Sequence, residues 1–346
     1  MNHRANFAQE LVGVLPFSGA EILDGKTVLI TGATGLIGLT LVNALLRYGT
    51  GRENPPKVLA FVRNREKAEK IFRDIHEEQL KLLYGDIRNP IATEAPIDYI
   101  IHAASVTASK AFVSQPVETI RTAIDGTVNV LELAREKKVR SFVYLSSMEV
   151  YGAPETDEKI TEDHGTNLNT MSVRSSYPEG KRMCEALCTA YFAQYGVPAK
   201  VVRLTQTFGP GVAYNDGRVF AEFARCAIEK RNIVLHTKGE TKRSYLYTED
   251  AAAAILTVLL KGENGQAYNA ANEESYCSIW EMAQFVAKEC ANGEIGVDIQ
   301  IEDENKFGYA PALRMNLDTQ KLRNLGWHAK VGFRNAFLYM MRNMER

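Results

Sequence analysis

The sequence has 346 residues and a formal net charge of −1, because 41 Lys and Arg residues nearly balance 42 Asp and Glu residues. That length suffices for one large domain or two coupled ones, and the even charge excludes a broad affinity for nucleic acid or an anionic membrane. No apolar run is long enough to span a bilayer, and the first residues lack a signal-peptide core. Five scattered cysteines suit reduced thiols in the cytoplasm; Cys184 and Cys188 share a helix face without a second ligand pair, so we expect no metal site.

The first predicted element is a strand, turn and helix over Lys26 to Gly38, with the sequence KTVLITGATGLIG. An apolar run predicts a buried parallel strand, three glycines follow at three-residue spacing, and Leu36 to Leu46 has the helical period. In this context the glycines predict a dinucleotide site, because they let the backbone approach a pyrophosphate. An ordinary strand-to-helix turn is the alternative. The expected cofactor contacts are Gly32, Thr34, Gly35, Leu36, Ile37 and Gly38.

The second predicted strand, Val58 to Val62, leads directly into Arg63 and Asn64. In NAD-binding folds an acidic residue at this point binds the ribose hydroxyls, whereas an arginine accommodates the 2′-phosphate of NADP. Arg63 therefore favours NADP if it faces the cofactor, and it is a surface cation at the start of the next helix if it does not. The sequence is compatible with NAD or NADP.

Predicted strands at Leu80 to Tyr84, Tyr99 to His102 and Ser141 to Ser146 alternate with helices, of which Val117 to Lys137 is the longest. This alternation predicts an α/β fold with a doubly wound parallel sheet, the Rossmann arrangement. Small residues after these strands let the backbone lie against a cofactor. The expected contacts in this part of the chain are Asp86, Ile87, Ala103, Ala104 and Ser105.

Two segments after the fifth strand carry candidate catalytic side chains. Ser147 and Glu149 follow the strand directly, where open α/β sheets place their ligands. The next predicted helix runs to Tyr195 and carries Tyr177 and Lys181 four residues apart, hence on one face. A lysine ammonium beside a phenol lowers the phenol pKa, which would make Tyr177 a general base for a hydroxyl group. A turn-capping serine, a solvated loop charge and a surface Tyr–Lys pair are the alternatives for these residues taken singly.

The motifs TGATGLIG, GDI, HAAS, SSMEVYG and YPEGK occur in this order and resemble those of the extended short-chain dehydrogenase/reductase family. Within it the chain is similar to NAD-dependent epimerases, dehydratases and decarboxylases of nucleotide sugars, over Lys26 to Trp327. The segments HAASVTASKAFVSQPVETI, RSSYPEGKR and YNDGRV most resemble UDP-glucuronate decarboxylases. The resemblance implies a retained NAD or NADP that runs an internal redox cycle. It also implies a catalytic set whose last two members contact the cofactor: Ser147, Glu149, Tyr177 and Lys181.

Later segments resemble the parts of these enzymes that hold the nucleotide: RLTQTFGPG, NDGRV, GETKRSYLY and LDTQKLRNLGW. Guanidinium groups suit a diphosphate because they bind it through two parallel hydrogen bonds. For any one arginine, a surface ion pair is the alternative. The resemblance implies that a UDP-sugar is bound by Thr107, Gln206, Arg218, Arg243 and Arg314.

Three residues depart from the family pattern. Met148 stands where decarboxylases usually have Ser and 4,6-dehydratases have Asp, and a thioether cannot protonate a departing hydroxyl. Gln206 and Ala123 each replace a usual Asn. We therefore expect oxidation at C4 of the sugar followed by decarboxylation, with C4 epimerisation and then 4,6-dehydration as alternatives. A net NADPH-dependent carbonyl reductase is the alternative from another class, and a non-catalytic scaffold is disfavoured because the catalytic set is complete.

The expected organisation has three parts. Residues 1–25 form an N-terminal extension, residues 26–204 a dinucleotide-binding domain, and residues 205–346 a smaller, mainly substrate-binding α/β region interleaved with the first. The resemblance implies a homodimer formed through the helices that begin near Pro116 and Tyr177. Four apolar residues of these helices either face a partner subunit or belong to the core: Val128, Leu131, Leu187 and Tyr191.

Overall fold

The computed structural model describes residues 19–75, 78–301 and 312–344. The apolar residues of the predicted extension, from Leu11 to Phe17, lie outside the described residues. The strands are β1 (Thr27–Thr31), β2 (Lys57–Val62), β3 (Leu80–Tyr84), β4 (Tyr99–His102), β5 (Ser141–Ser147), β6 (Ala199–Leu204), β7 (Gln206–Phe208), β8 (Ile233–Leu235), β9 (Lys242–Tyr247), β10 (Ala267–Ala270), β11 (Asn272–Ser278), β12 (Val297–Ile299) and β13 (Arg314–Met315). The α-helices are α1 (Leu36–Gly49), α2 (Arg65–Phe72), α3 (Ser109–Ser114), α4 (Pro116–Lys137), α5 (Ser176–Tyr195), α6 (Val219–Glu229), α7 (Thr248–Lys261), α8 (Ile279–Phe285), α9 (Gln320–Arg323) and α10 (Phe333–Asn343).

Seven strands form one parallel sheet in the order β3-β2-β1-β4-β5-β6-β10. The order reverses between β1 and β4, which is the switch point at which doubly wound sheets bind their ligands. Because helices cover both faces, the strands are continuous apolar runs, as in β1, where all five residues are buried. The sheet confirms the predicted Rossmann-type α/β fold, and β3 and β4 have the predicted bounds.

The two faces of this sheet bury separate apolar clusters. On one face α1, α2 and α7 pack together around residues such as Leu41. On the other face α4 and α5 pack through residues such as Val130 and Cys184. From the described end of the predicted extension, Ala20 and Leu23 are fully buried in the first cluster. Each buried aliphatic side chain contributes roughly 1.5–3 kcal/mol, so both faces hold the ligand-binding edge of the sheet in place.

Local signals explain where the helices begin and end. Helix α4 begins at Pro116, one residue before the predicted start, because proline suits a first turn whose amides need no helical partner. It ends before Lys138, which adopts the left-handed conformation with a φ of 51°. Helix α2 begins after Asn64, whose side chain accepts a hydrogen bond from the Lys67 amide at 2.8 Å.

The residues considered for a dimer face lie mostly inside the subunit. Leu131 is fully buried in the core, and Val128, Leu187 and Tyr191 are half-buried. Of the two possibilities for Leu131, a place on an exposed face is wrong, because its side chain packs into the cluster beneath α4 and α5. The apolar residues that these two helices do expose are Val117, Ile120, Met183, Phe192 and Tyr195.

The chain after β6 builds a smaller region and also returns to the large sheet. Strands β7, β11 and β13 pair with β9, and β8 pairs with β12. Helices α6, α8 and α10 bury a third apolar cluster beside these strands, in which Phe208 packs on Phe337. Strand β10 and helix α7 pack within the large sheet region. Within the described ranges, no helix is both long and apolar enough to cross a membrane.

Candidate active site

The turn between β1 and α1 requires glycine at two positions. Gly32 has a φ of +67°, and a Cβ atom there would lie 2.8 Å from the backbone of Ala104 at the end of β4. A Cβ atom on Gly38 would collide with the Gly32 carbonyl oxygen. The Gly35 amide donates to that oxygen at 2.9 Å, which closes the turn. The result is a backbone cradle at the switch point of the sheet, and this cradle fits a dinucleotide pyrophosphate.

A buried chain of hydrogen bonds fixes the strand end that faces this cradle. The amides of Ala103 and Ala104 both donate to the Thr31 hydroxyl oxygen at 3.1 Å. That hydroxyl therefore donates its own proton to Nδ1 of His102, 2.7 Å away. Burial lowers the pKa of His102 to about 3, so the imidazole is neutral and Nε2 faces the Thr127 hydroxyl at 3.3 Å. Sequence reasoning missed Thr31 and His102, although a threonine ending β1 and the histidine of HAAS were visible signals.

The ends of β2 and β3 form the outer edge of the cradle. Arg63 follows β2 and is exposed. Asp86 follows β3, and the side-chain hydrogen bonds that it accepts from Arg88 lower its pKa to about 2. Ile87 is buried, and its carbonyl oxygen accepts from the Asn129 side chain at 3.0 Å. A cavity of about 210 Å³ opens beside these strand ends.

The other residues predicted near the cofactor lie between the glycine turn and α3. Thr34, Leu36 and Ile37 are half-buried in or after the glycine turn. Leu36 also packs on the third apolar cluster, the one that contains Phe208. Ser105 is half-buried after β4. Thr107, predicted to contact the substrate, is exposed shortly before α3.

The end of β5, beside the cradle, brings the predicted catalytic residues together. Ser147 ends the strand, and its Oγ accepts from the Glu149 amide at 3.2 Å, which caps a single 3₁₀ turn. Tyr177 lies in the first turn of α5, with its ring stacked on Phe112 of α3 at 4.1 Å between centroids. Lys181 is buried one helical turn further along α5. The topology therefore brings the end of β5, helix α3 and the start of α5 together in one site.

Burial and charge together raise the pKa of Tyr177. Burial of the phenol moves its pKa well above the usual range, and the Glu149 carboxylate raises it further. A hydrogen bond with Ser147 and the positive charge of Arg174 oppose the shift. The phenol of the protein by itself is therefore protonated at neutral pH.

Lys181 makes its hydrogen bond to the backbone and not to the Tyr177 phenol. Its ammonium donates to the Leu145 carbonyl oxygen at 2.7 Å and lies 5.7 Å from the centre of the Tyr177 ring. Burial lowers the pKa of Lys181 itself to about 8. For the protein by itself the prediction of a lowered phenol pKa is wrong, because burial and the Glu149 carboxylate outweigh the effects that lower it.

The Glu149 carboxylate is held by an arginine that sequence reasoning did not single out. Arg174 Nη2 lies 2.9 Å from Glu149 Oε2, and both side chains are about one third exposed. The same guanidinium lies over the ring of Phe112 at 4.9 Å from its centre. Arg174 thus links the second candidate acid/base group to the ring on which Tyr177 stacks.

Met148 is a core residue in this structure. Only 6% of its surface is exposed, and it packs with Ile160 and with Met315 and Leu317, which lie much later in the chain. The Thr205 hydroxyl lies 3.3 Å from its sulfur. The position beside the candidate catalytic serine, Ser147, therefore carries an apolar packing residue and no acid.

The three predicted phosphate-binding arginines all have partners within the protein. Arg243 Nη1 donates to the Gln206 side-chain oxygen at 3.0 Å, and its buried Nε has no hydrogen-bond partner among the described residues. Arg314 pairs with Asp157, and Arg218 pairs with Asp216 at 2.6 Å. In the second sheet, Arg314 is in register with Lys242 and both contact Asp157, whereas Arg218 precedes α6.

A buried ion pair behind the catalytic turn was also missed. The Arg203 guanidinium on β6 donates to both carboxylate oxygens of Glu185 on α5 and to the Tyr151 hydroxyl at 2.9 Å. The Ser146 hydroxyl donates to the same Glu185 carboxylate. The signal was the arginine of RLTQTFGPG, but its partners are far away in sequence. The network ties the end of β5 to α5 and so supports the positions of Ser147 and Tyr177.

The sulfur atoms serve packing in this fold. Cys184 and Cys188 are buried free thiols, and the Cys184 thiol donates to the carbonyl oxygen of Ala123 at 3.2 Å. A Cβ atom on Gly180 would lie 3.4 Å from that of Ala123, so two small residues let α4 and α5 approach closely. Over the part of the chain that the structure describes, no cluster of His, Cys, Asp or Glu side chains could hold a metal ion.

A glycine cradle at the switch point, with serine, tyrosine and lysine converging at the next strand end, defines an enzyme that uses a nicotinamide dinucleotide. The sequence model of the NAD dependent epimerase/dehydratase family matches residues 28–271, so the chain belongs to this family. The match confirms the family predicted from the motifs.

Individual relatives agree with this assignment. The chain is 29% identical over 328 residues to UDP-glucuronic acid decarboxylase 1 of Xenopus tropicalis, covering 93% of this chain and 74% of that one. UDP-glucose 4-epimerase of Thermotoga maritima, solved with UDP-glucose, has a TM-score of 0.76 at 20% identity, covering 92% of this chain and 98% of that one. dTDP-glucose 4,6-dehydratase of Bacillus anthracis, solved with NAD, has a TM-score of 0.74 at 21% identity, covering 92% and 96%. The two solved structures share the fold.

Proposed function

We propose that this enzyme decarboxylates UDP-glucuronate through a ketone at C4 of the sugar. The observation that carries the proposal is the convergence of Ser147, Tyr177 and Lys181 beside an ion-paired Glu149 at the strand end next to the cradle. The relatives named UDP-glucuronic acid decarboxylase support the choice of reaction.

In this proposal Tyr177 exchanges a proton with the C4 hydroxyl of the sugar, and Ser147 shares that hydrogen bond. A bound nicotinamide supplies the acceptor and donor of the C4 hydride and, when oxidised, a positive charge that favours the phenolate. The positive charge of the Lys181 ammonium stabilises the phenolate. The glycine-turn, strand-end and Arg63 residues named above form the cofactor site.

The ketone makes the C6 carboxylate part of a β-keto acid. The C5–C6 bond then breaks, carbon dioxide leaves, and its electron pair forms an enolate across C5 and C4. A proton from solvent, added at C5, restores the ketone, and we assign its relay to the partly exposed Glu149 carboxylate, which the Arg174 guanidinium orients. Return of the hydride to C4 and of the Tyr177 proton to its oxygen completes the cycle.

Arg243 is the arginine we assign most directly to the substrate diphosphate. Its partner is a neutral amide and its buried Nε lacks a partner in the part of the chain that the structure describes, so an anion gains a hydrogen bond there without displacing a carboxylate. Arg314 and Arg218 join it by exchanging Asp157 and Asp216 for phosphate oxygens. Gln206 then positions Arg243, and Thr107 lies on the sugar side.

Met148 argues against 4,6-dehydration in this proposal. That reaction needs an acid to protonate the departing C6 hydroxyl, and the position carries a buried thioether. Epimerisation at C4 needs the same catalytic residues, and it is the second outcome that the experiment below distinguishes.

We further propose a cytoplasmic homodimer formed through α4 and α5. The exposed apolar side chains of these helices, among them Val117 and Met183, support that face. Residues 26–204 would mainly bind the cofactor and residues 205–346 mainly the sugar nucleotide, with β10 and α7 joining the first part.

The test is incubation of the purified protein with UDP-glucuronate, UDP-glucose and UDP-galactose separately, followed by mass spectrometry and proton NMR. We expect loss of carbon dioxide from UDP-glucuronate, with no net change in absorbance of reduced nicotinamide. Tyr177→Phe should lower the rate by roughly 10²–10⁴-fold, whereas Tyr195→Phe on the same helix should not. A mass-neutral change at C4 or stoichiometric consumption of reduced cofactor would replace the proposal with an epimerase or a net reductase.

A further inference from the structure

We propose that a buried hydrogen-bond chain through His102 and Thr127 positions helix α5, and with it the two candidate catalytic residues of that helix, against a nicotinamide bound at the cradle. His102 and Thr127 are positioning residues in this account, because they act through Cys184 of α5. The inference deepens the proposed function, since it rests on hydride exchange between a nicotinamide and the substrate. It does not depend on which sugar is processed.

Each hydrogen bond of the chain has a definite direction. The Thr31 hydroxyl accepts from two backbone amides and therefore donates its proton to Nδ1 of His102 at 2.7 Å. The neutral imidazole carries its own proton on Nε2 and donates it to the Thr127 hydroxyl oxygen at 3.3 Å. The Thr127 hydroxyl donates to the Cys184 sulfur at 3.2 Å, and the Cys184 thiol donates to the Ala123 carbonyl oxygen. The donors therefore all point one way, from the end of β1 to the pair of helices α4 and α5.

The whole chain is sealed from water. Thr31, Thr127 and Cys184 are fully buried, and 1% of the His102 surface is exposed. The four side chains belong to four different elements, β1, β4, α4 and α5. In so dry a place a broken hydrogen bond leaves a buried polar group without a substitute from solvent. The chain therefore fixes the spacing of these elements more tightly than apolar packing alone would.

At one end the chain sets the face that α5 turns towards the site. Cys184 lies two helical turns after Tyr177 and one turn after Lys181, so the three side chains share one face of the helix. Next to them, a Cβ atom on Gly180 would lie 3.4 Å from that of Ala123 on α4. A contact between such small residues permits sliding, whereas a directional hydrogen bond at Cys184 fixes the rotation and register of α5.

At the other end the chain begins in the wall of the cradle. One of the two amides that the Thr31 hydroxyl accepts from belongs to Ala104, whose backbone a Cβ atom on Gly32 would approach to 2.8 Å. The chain thus ties the backbone that would face the dinucleotide to the helix that carries Tyr177 and Lys181. Reacting atoms must be aligned to within a fraction of an ångström for hydride transfer, so a shift of one end relative to the other slows the chemical step.

Thr127→Val tests the centre of the chain with the nucleotide sugar that the wild type turns over. It removes one hydroxyl, and kcat should fall by roughly tenfold or more. KM and the amount of retained dinucleotide should stay within about twofold of wild type, because the binding groups are untouched. Thr127→Ser, which keeps the hydroxyl, should recover most of the lost kcat.

Thr119→Val is the matched control for this change. Thr119 is a buried threonine of the same helix, and its hydroxyl donates to the Gln115 carbonyl oxygen at 2.8 Å. This variant should keep the wild-type kcat. An equal loss of kcat in Thr119→Val and Thr127→Val would overturn the inference, because it would reflect a general loosening of α4. A KM that rises as steeply as kcat falls in Thr127→Val would overturn it too.

Cys184→Ala tests the end of the chain on α5, with Cys188→Ala as its control. Cys188 is a buried free thiol one turn further along the same helix. Cys184→Ala should lower kcat as Thr127→Val does, and Cys188→Ala should not. The double variant of Thr127→Val and Cys184→Ala should be no slower than the slower single variant, because one break already interrupts the chain. Losses that multiply in the double variant would mean that the two residues act independently, against the inference.

A measurement without sugar separates this inference from the proposed function. If the wild type turns over no nucleotide sugar, the proposed function fails and the fluorescence of bound reduced nicotinamide decides the inference. In protein loaded with the reduced dinucleotide, Thr127→Val and Cys184→Ala should change the fluorescence lifetime, because the surroundings of the nicotinamide ring have moved. Thr119→Val and Cys188→Ala should match the wild type. The same lifetime in the wild type and every variant would overturn the inference.

Discussion

The proposed cofactor end and the proposed sugar end of the site differ in the groups that form them: backbone in the first and ion-paired side chains in the second. At the cofactor end the shape comes from the backbone. Gly32 packs against the Ala104 main chain, and the Thr31 hydroxyl accepts hydrogen bonds from two backbone amides. At the sugar end the charged groups are side chains held by other side chains, as in the pairs Arg174–Glu149 and Arg314–Asp157.

The difference teaches where each end can change. Where the cradle is formed by backbone, a substitution that adds a Cβ atom does not fit. Few residue types are therefore allowed there, and the motif can be recognised in a sequence. Ion pairs can be exchanged for others of similar reach, so the sugar end can alter its specificity without altering the fold. The four predictions that follow disturb one end, the other, the catalytic residue between them, and finally neither.

The largest expected effect is at the cradle. Gly32→Ala should abolish retention of the dinucleotide, because the new methyl group would lie 2.8 Å from the Ala104 backbone at a φ of +67°. The measurement is the amount of dinucleotide released on denaturation per mole of protein. Gly51→Ala is the control, since Gly51 has a φ of +75° but open space around it. If both variants lose the cofactor, backbone strain and not the close approach would be responsible.

The matching change at the sugar end is Arg243→Gln. It should raise the KM for the nucleotide sugar by roughly tenfold or more, because a charge-assisted hydrogen bond to the diphosphate is lost. Dinucleotide retention should stay at the wild-type level, which steady-state kinetics and mass spectrometry together check. Arg314→Gln should cost less, because Arg314 must first release Asp157. An equal loss of retained dinucleotide would show that the two ends are not separate.

Lys181, which lies between the two ends, should make the activity fall at high pH. The pKa of Lys181 is lowered to about 8 by burial, so its ammonium loses a proton as the pH rises through that value. We expect kcat to fall above pH 8 as the charge that supports the phenolate disappears. Lys181→Arg should be slower but lack this fall, because a guanidinium stays charged. A wild-type profile that is flat from about pH 7 to about pH 10 would contradict the assignment.

The smallest effect is expected at a residue that touches neither end. Lys200 is buried, with its ammonium 2.7 Å from the Ser141 hydroxyl, and burial lowers its pKa to about 8. The folded state disfavours the charged form of Lys200. The free-energy cost of burying this charge is fully present below pH 8 and disappears as the pH rises towards the unfolded pKa of about 10.4. Lys200→Met should therefore raise the free energy of unfolding at neutral pH by roughly 1–3 kcal/mol.

Chemical denaturation at several pH values checks this last prediction. The gain from Lys200→Met should shrink above pH 8, whereas the exposed Lys70→Met should show no such trend. Turnover and dinucleotide retention should be unchanged in both variants. A destabilised Lys200→Met protein at neutral pH would mean that its hydrogen bonds outweigh the cost of burying the charge.

Much of the cofactor end could be predicted because its determinants are local. The strand, the glycine turn and the helix lie within Lys26 to Gly49, and their order alone specifies the unit. The spacing of Tyr177 and Lys181 likewise follows from the helical repeat. The strand bounds followed from continuous apolar runs, which a parallel sheet covered on both faces requires.

The sugar end and the titration of the catalytic residues could not be predicted in the same way. Arg314 and its partner Asp157 are 157 residues apart, and Tyr151 and Asn269 are 118 apart, so nothing local pairs them. The raised pKa of Tyr177 comes from burial and from Glu149, and spacing along one helix reports neither.

The sequence by itself determined the class of fold, the glycine turn and the identity of the groups that can carry the chemistry. Only the tertiary structure decided which groups meet, which charges are already neutralised, and that Met148 packs into the core. The physical reason is range: periodicity and turn geometry act over a few residues. Burial and ion pairing, in contrast, depend on segments that the folded sheet alone brings together.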